Sequence, residues 1–437
     1  YTTLFRSRLT MQLQLKSKLG DLREADASFL QEARERGRAL KVGQTAFIKN
    51  SDYSSEVAYK RVMAKKGQIM YHYHLCCLDH ADFRRQMADF EQLLPEHGVH
   101  LDRFGISIDP AMALPREIRA ENRKGGALFF QTQADWDMLG ISPIMQPHLG
   151  DNMIGSPACY ETAACALQAG VTTMGNVSQF FGYEYPEFTD VDARVRSTLQ
   201  AMALMAETRD KGALIHSNLD DGYGDMAPDM GLLLGCAKLE KYLVEDLMGA
   251  KIAHSYGDMF FSPMKRLIML SALKQLHGKD IVGSMVFTNK LGRNHKDISL
   301  NVPHLSMSLI YDMAGQYVYQ TGHAVTTMAN QGLTTDTTVE DVVKTLEYAK
   351  ELEAYLPAVV DTIDFDKIDR EAAKVCKRGE MFFEATLEAL SQVIDVRNPY
   401  ALLSALKRVG IKNLTAAFGK DDSDVIVTDY NLFSHEY

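Results

Sequence analysis

Cysteine is scarce in this sequence, basic side chains are outnumbered by acidic ones, and no long apolar run occurs. The six cysteines of the 437-residue chain include no Cys-x-x-Cys pair. That excludes a zinc-knuckle or dithiol redox motif, and a chain of this length can bury a core without disulfides. Lys and Arg number 47 against 57 Asp and Glu, for a formal net charge of −10, whereas a nucleic-acid surface requires clustered basic residues. Apolar runs such as Gly231–Cys236 fall far short of the roughly 20 residues that span a bilayer. No secretory signal pattern opens the sequence. A Walker loop is missing, and Gly222-x-Gly224 lacks the third glycine of a dinucleotide fingerprint. The expectation is a cytoplasmic protein with neither a nucleic-acid nor a membrane partner.

Residues 1–7 resemble the translation of a sequencing-library adapter and are set aside, the protein being expected to begin near Met11. From residue 68 onward short apolar runs alternate with long helical patterns. Strands are predicted at Gln68–Tyr73, Phe104–Ile108, Ile141–Gln146, Val171–Asn176, Ala213–Asn218, Lys251–Tyr256, Ser284–Asn289 and Gln316–Thr321. Their mostly apolar composition suits strands buried on both faces. Helices are predicted at Pro157–Ala169, Asp190–Lys211, Met230–Met248, Pro263–His277 and Val339–Tyr355. Pro157 and Pro263 sit at first helical positions, and Gly170, Gly249 and Gly278 read as helix stops. Eight β-then-α units predict an α/β fold, a (β/α)8 TIM barrel over 67–356. An N-terminal helical segment (8–66) precedes it and a helical C-terminal extension (357–437) follows. The alternative is an open doubly wound sheet, but its usual Gly-rich first turn is replaced here by His74-Leu75-Cys76-Cys77.

In such a barrel chemistry lies where strands end. The predicted ends carry His72, His74, Asp109, Gln146, His148, Asn176, His216, Asn218, His254, Asn289, Gln320 and His323. One histidine in such a place is usually structural; histidines at five of the eight ends point to a polar functional site. His72 and His74 share a strand face, since side chains alternate with a period of two. With His216 and His254 they are similar to the ligand set of the amidohydrolase superfamily, where zinc, manganese or iron activates a water for hydrolysis. That metal-dependent reading is the alternative one, because the Asp expected at strand eight is replaced by Gln320-Thr321-Gly322. Asp220-Asp221 reads as an exposed loop, and Arg293, His295 and Lys296 stand where many barrels bind phosphate. Cys76-Cys77 reads as a pair of inert thiols.

The leading reading rests on ordered similarity from about Lys65 to Leu390. The stretches are Lys65-Lys66-Gly67…Met70, Ser107-Ile108-Asp109…Arg116…Arg119, Gly155-Ser156-Pro157 through Ala169-Gly170 to Tyr183-Glu184-Tyr185-Pro186, then Met285-Val286-Phe287 and Thr321-Gly322-His323. In this order they resemble the large subunit of glutamate mutase (methylaspartate mutase), an adenosylcobalamin-dependent barrel. The resemblance implies an isomerase subunit that performs a radical 1,2-rearrangement of a small carboxylic or amino acid. Of the three arginines that grip the family's substrate, one falls on Arg116, the others on His74 and at Pro147-His148. The family's substrate-facing tyrosines fall on Phe181 and Tyr185; Glu184 is the candidate for its missing base, with His216 beside it as a second catalytic candidate. On the cofactor side the matching positions are Cys76, Gln131, Phe287, Gln320 and His323. Glutamate itself is therefore not expected as substrate. The Asp-x-His-x-x-Gly cobalamin motif does not occur in the sequence, so the resemblance implies a cobalamin-binding small subunit in trans and a hetero-oligomer.

Overall fold

In a computed structural model the described residues are 15–22, 26–257, 259–260, 262–287, 298–327 and 337–419. They form a mixed α/β structure with eight short parallel strands: β1 (Tyr71–Leu75), β2 (Arg103–Ile106), β3 (Gln146–His148), β4 (Thr173–Gly175), β5 (Leu214–Asn218), β6 (Ile252–Ser255), β7 (Met285–Val286) and β8 (Ala324–Thr326). One sheet has the order β3-β2-β1-β8-β7 and the other β4-β5-β6. Isolated parallel bridges, Leu149 with Met174 and Tyr256 with Val286, join the two sheets at both sides. Every strand is buried along its length. That explains the nearly continuous apolar runs, because parallel strands are covered on both faces by the helices that cross between them.

The helices used below are α1 (Leu30–Ala39), α2 (Glu56–Lys65), α3 (His80–Glu96), α4 (Cys159–Gln168), α5 (Val191–Thr208), α6 (Met230–Lys241), α7 (Pro263–His277), α8 (Ile298–Tyr319), α9 (Val339–Glu353), α10 (Phe365–Ser391) and α11 (Pro399–Val409). Their starts follow capping chemistry. The Ser55 hydroxyl accepts from Ala58 N, the Asp79 carboxylate from Ala81 and Asp82 N, and Thr338 forms a capping box with Asp341.

Two predicted strands move. The segment Gln316–Tyr319 is the last turn of α8, and β8 starts only at Ala324. Tyr317, Val318 and Tyr319 have strand-like composition, yet the helix runs on until Gln320 takes a left-handed φ of 52° and Gly322 one of 74°. Residues 141–145 likewise stay outside the ladder. Ile141 closes a 3-10 turn over Met138–Gly140, and Pro143 has no N–H to contribute.

The N-terminal segment does more than precede the strands. Glu56 and Lys60, one turn apart on α2, reach the N-terminal ends of β2, β4 and β7, where their side chains are buried. At the other end of the sequence α10 packs on α6 and α7. Gly231 and Gly235 permit the close approach, since a Cβ on either would lie 2.6 Å from Arg378 or Phe382. Arg378 also clasps Asp229, the N-cap of α6, at 3.0 Å. One continuous apolar core runs from Leu15 through the strands to Leu414. Among the described residues no helix is long and apolar enough to cross a membrane.

Candidate functional site

Side chains of both sheets meet across a buried polar row. At its base, Arg103 Nε lies 2.8 Å from Glu56 Oε1, and the other Glu56 oxygen accepts from the Thr173 hydroxyl at 2.7 Å. Arg103 Nη1 donates to Ser284 O and Oγ at 3.1 and 3.2 Å. Lys60 Nζ donates to the carbonyls of Gly283 and Ser284. These groups form a closed floor at the N-terminal ends of the strands.

Above the floor stand three imidazoles. The His72 and His148 rings are 5.9 Å apart and His148 and His216 are 4.7 Å apart, both pairs edge to face. Glycines make the space. A Cβ at Gly105, between His72 and His74, would lie 2.6 Å from His74 Nδ1, and one at Gly175 would lie 2.5 Å from the His216 ring. The three rings are at most 1% exposed. Burial holds their pKa values well below the usual histidine range, and the Arg103 guanidinium pushes them the same way. They are therefore neutral at pH 7.

Hydrogen bonding assigns the tautomer of one of them. His148 Nδ1 faces the Thr173 carbonyl at 3.1 Å and must donate, leaving Nε2 an acceptor. Ser284 Oγ accepts from Arg103 Nη1 at 3.2 Å and lies within hydrogen-bond distance, 2.8 Å, of His216 Nδ1. Both His72 nitrogens, His148 Nε2 and Arg103 Nη2 have no hydrogen-bond partner among the described residues. Buried polar atoms are normally satisfied, so this group of four invites a ligand or ordered water.

At the C-terminal ends of β1 and β2, His74 Nε2 lies 3.0 Å from Ser107 Oγ, which is 3.9 Å from Cys76 Sγ. Burial lowers the His74 pKa, partly offset by the Asp151 carboxylate. The Cys76 thiol is pushed up by burial. It is thus not the depressed thiolate of a reactive cysteine.

Several expected participants lie elsewhere. Arg116 is exposed, and its Nε and Nη2 both donate to Glu161 Oε1 at 3.0 and 2.7 Å; the three-point claw read from the sequence is not assembled around it. Glu184 is 72% exposed and pairs with Lys407 of α11 at 2.7 Å and with Arg194 at 3.6 Å. It is a poor candidate for a buried base. The Arg194 guanidinium lies 4.8 Å over the Tyr185 ring, while Phe181 packs between Phe180 and Tyr223. Gln131 is exposed. Gln320 and His323 precede β8 and so sit at its N-terminal end, opposite to the expected one. There His323 Nε2 donates to the His254 carbonyl at 3.1 Å, and burial brings its pKa down to about 3. Phe287 follows β7 directly, with its ring 6.4 Å from that of His72.

His254 also departs from expectation. In the register of β5 and β6 it pairs with Ser217, not His216, and it points into the helix layer. Its Nε2 donates to Glu240 Oε2 at 3.1 Å, and its Nδ1 lies 2.8 Å from His277 Nε2. Ser217 and Tyr223 donate to the other Glu240 oxygen. The four-histidine metal set is thereby divided between two strand faces. Among the described residues no three His, Cys, Asp or Glu side chains gather as metal ligands.

Other strand-end residues are structural. Asp109 accepts from the N–H groups of Ala111, Lys124 and Gly125, and Asn176 from Asn218 N and Ser178 Oγ. Gln146 accepts from Thr45 Oγ1 and donates to Gly170 O. Asp220, expected in an exposed loop, is buried and receives Gly257 N. Asn289, Arg293, His295 and Lys296 lie outside the described residues. Sequence reasoning missed Arg103, Glu56, Lys60, Ser284 and Ser107. The available signal was an arginine directly before the apolar run Phe104–Ile108, where a strand begins. No profile of a known protein family matches the chain, and no curated protein sequence does.

Proposed function

We propose that the eight strands close into a (β/α)8 barrel. On this reading the chain is the barrel subunit of a glutamate-mutase-like isomerase that rearranges a small carboxylic or amino acid other than glutamate. The observation that carries the reading is the row His72, His148 and His216, with His74 beside it. These are neutral imidazoles enclosed between parallel strands, over a floor that Glu56, Lys60 and Arg103 seal. Closure is supported by the pairing of β1 with β8 and by the bridges beside β3–β4 and β6–β7.

The residues chosen for the adenosylcobalamin do not fit it as a set. Cys76 and Phe287 lie at strand C-terminal ends, whereas Gln131 is exposed and Gln320 and His323 stand at the opposite end of β8. This chain's described residues therefore do not by themselves account for a bound adenosyl group, and a separate cobalamin subunit would have to supply most contacts. What the inner residues can do is bind and orient a small polar molecule away from bulk water. The experiment is sedimentation of the purified chain with an adenosylcobalamin-loaded small subunit of the mutase class. Co-sedimentation is expected. Independent sedimentation at tens of micromolar of each, well above typical working affinities, would contradict the mutase reading.

A further inference from the structure

The geometry points to Arg103, His72 and His148 as the binding site for a small monocarboxylate that carries an α-hydroxyl or α-amino group. This deepens the functional proposal above and rests on its placing of the site on the inner face of the strands. Arg103 has three nitrogen positions, two of them engaged: Nε by Glu56 and Nη1 by Ser284. Nη2 is buried, and no hydrogen bond uses it among the described residues. A guanidinium nitrogen in that state is a carboxylate donor awaiting its acceptor.

The neighbouring groups limit what that carboxylate may be attached to. His72 stands beside Arg103 in the β1–β2 register, is fully buried and has two unused nitrogens. A neutral imidazole offers one donor and one acceptor, so His72 can meet either a carboxylate oxygen or a hydroxyl. His148 is stricter. Its Nδ1 is committed as donor to Thr173 O, so the unused Nε2 is a lone pair and calls for a donor on the ligand. A hydroxyl or amino group supplies it.

A second carboxylate has no partner here. Lys60 Nζ in the floor donates to two carbonyls, burial pushes its pKa well below the usual lysine range, and the imidazoles are uncharged. Dicarboxylates would bury an unpaired charge. Small size follows from enclosure, since the Arg103 floor lies below and His74, 6% exposed, beside the C-terminal ends.

Calorimetric titration of the chain alone, without cobalamin or small subunit, tests the assignment with L-lactate, L-alanine, propionate and succinate. L-lactate or L-alanine is expected to bind about tenfold or more tightly than propionate, the ratio one buried hydrogen bond provides. Succinate is expected to bind more weakly than either. Two folded variants, checked by circular dichroism, complete the test. Arg103→Lys should weaken all binding about tenfold or more, and His148→Phe should erase the advantage of lactate or alanine over propionate. Should Arg103→Lys fail to fold, His148→Phe still decides. Absence of binding by all four acids at tens of millimolar, preference for succinate, or unchanged selectivity in His148→Phe would each overturn the inference. Those failures leave association with a cobalamin subunit untouched. Failed association with intact acid binding would instead overturn the mutase reading alone.

Discussion

Acidification should unfold this protein steeply, and the buried histidines set the slope. His72, His148, His216 and His323 are at most 1% exposed, and burial lowers the pKa of each, that of His323 to about 3. In the unfolded chain they protonate near pH 6.5. Below that pH the unfolded state binds more protons than the native state, so stability present above pH 6.5 is lost as pH falls toward the native values. Each such group contributes about 1.4 kcal/mol per pH unit well below 6.5. These four alone give roughly 5 kcal/mol per unit, with His74 and His277 adding in the same direction, and total stabilities are about 5–15 kcal/mol, so the fold should fail within about three units below pH 6.5. Urea melts between pH 7.5 and 5 measure it. Trp136, the sole tryptophan, is buried 4.4 Å from the Phe130 ring centroid and reports unfolding by fluorescence. Replacing His72 with Leu should take about 1.4 kcal/mol per pH unit off the slope. It should also raise stability at neutral pH by about 1–3 kcal/mol, because two unpaired buried nitrogens disappear. Stability that stays flat from pH 7 to 5 would refute the neutral, buried row.

Further substitutions probe the same architecture. Glu56→Gln leaves the Arg103 guanidinium buried without its carboxylate and should cost about 3–5 kcal/mol in urea denaturation; a cost below about 1 kcal/mol would show that the floor is not a unit. Gly105→Ala drives a methyl group toward His74 Nδ1 and should destabilise by about 1–3 kcal/mol, with a shifted His74 imidazole resonance in NMR spectra. By contrast Arg116→Ala removes a surface pair whose arginine is 65% exposed. It should change stability by less than about 1 kcal/mol and leave acid binding unaltered, whereas loss of binding would restore Arg116 to the site.

Much of the fold was legible because burial on both faces makes parallel strands apolar and because helix stops are chemical. Gly170, Gly249 and Gly278 all have the positive φ that a stop requires. The shared face of His72 and His74 was equally legible from the two-residue period, and both rings do flank the Gly105 position. What the sequence could not reveal was stagger. His216 and His254 both occupy the third place in their strands, yet the β5–β6 register is offset by one residue and puts them on opposite faces. Strand eight was misplaced because β-branched and aromatic residues at the end of α8 mimic strand composition, and tertiary packing decides between the two. Arg103 was overlooked since its partners, Glu56 and Ser284, are distant in sequence, and only the folded chain brings them together.

The imidazole row is the proposed working site of a mutase-like subunit. The most direct test is turnover of a small α-hydroxy or α-amino monoacid by the chain mixed with an adenosylcobalamin-loaded small subunit, followed by NMR of the carbon skeleton. A rearranged skeleton is expected that requires both components and is lost in His74→Ala and in His148→Phe. Unrearranged acid with both components present and the chain demonstrably folded, or turnover indifferent to both substitutions, would contradict it.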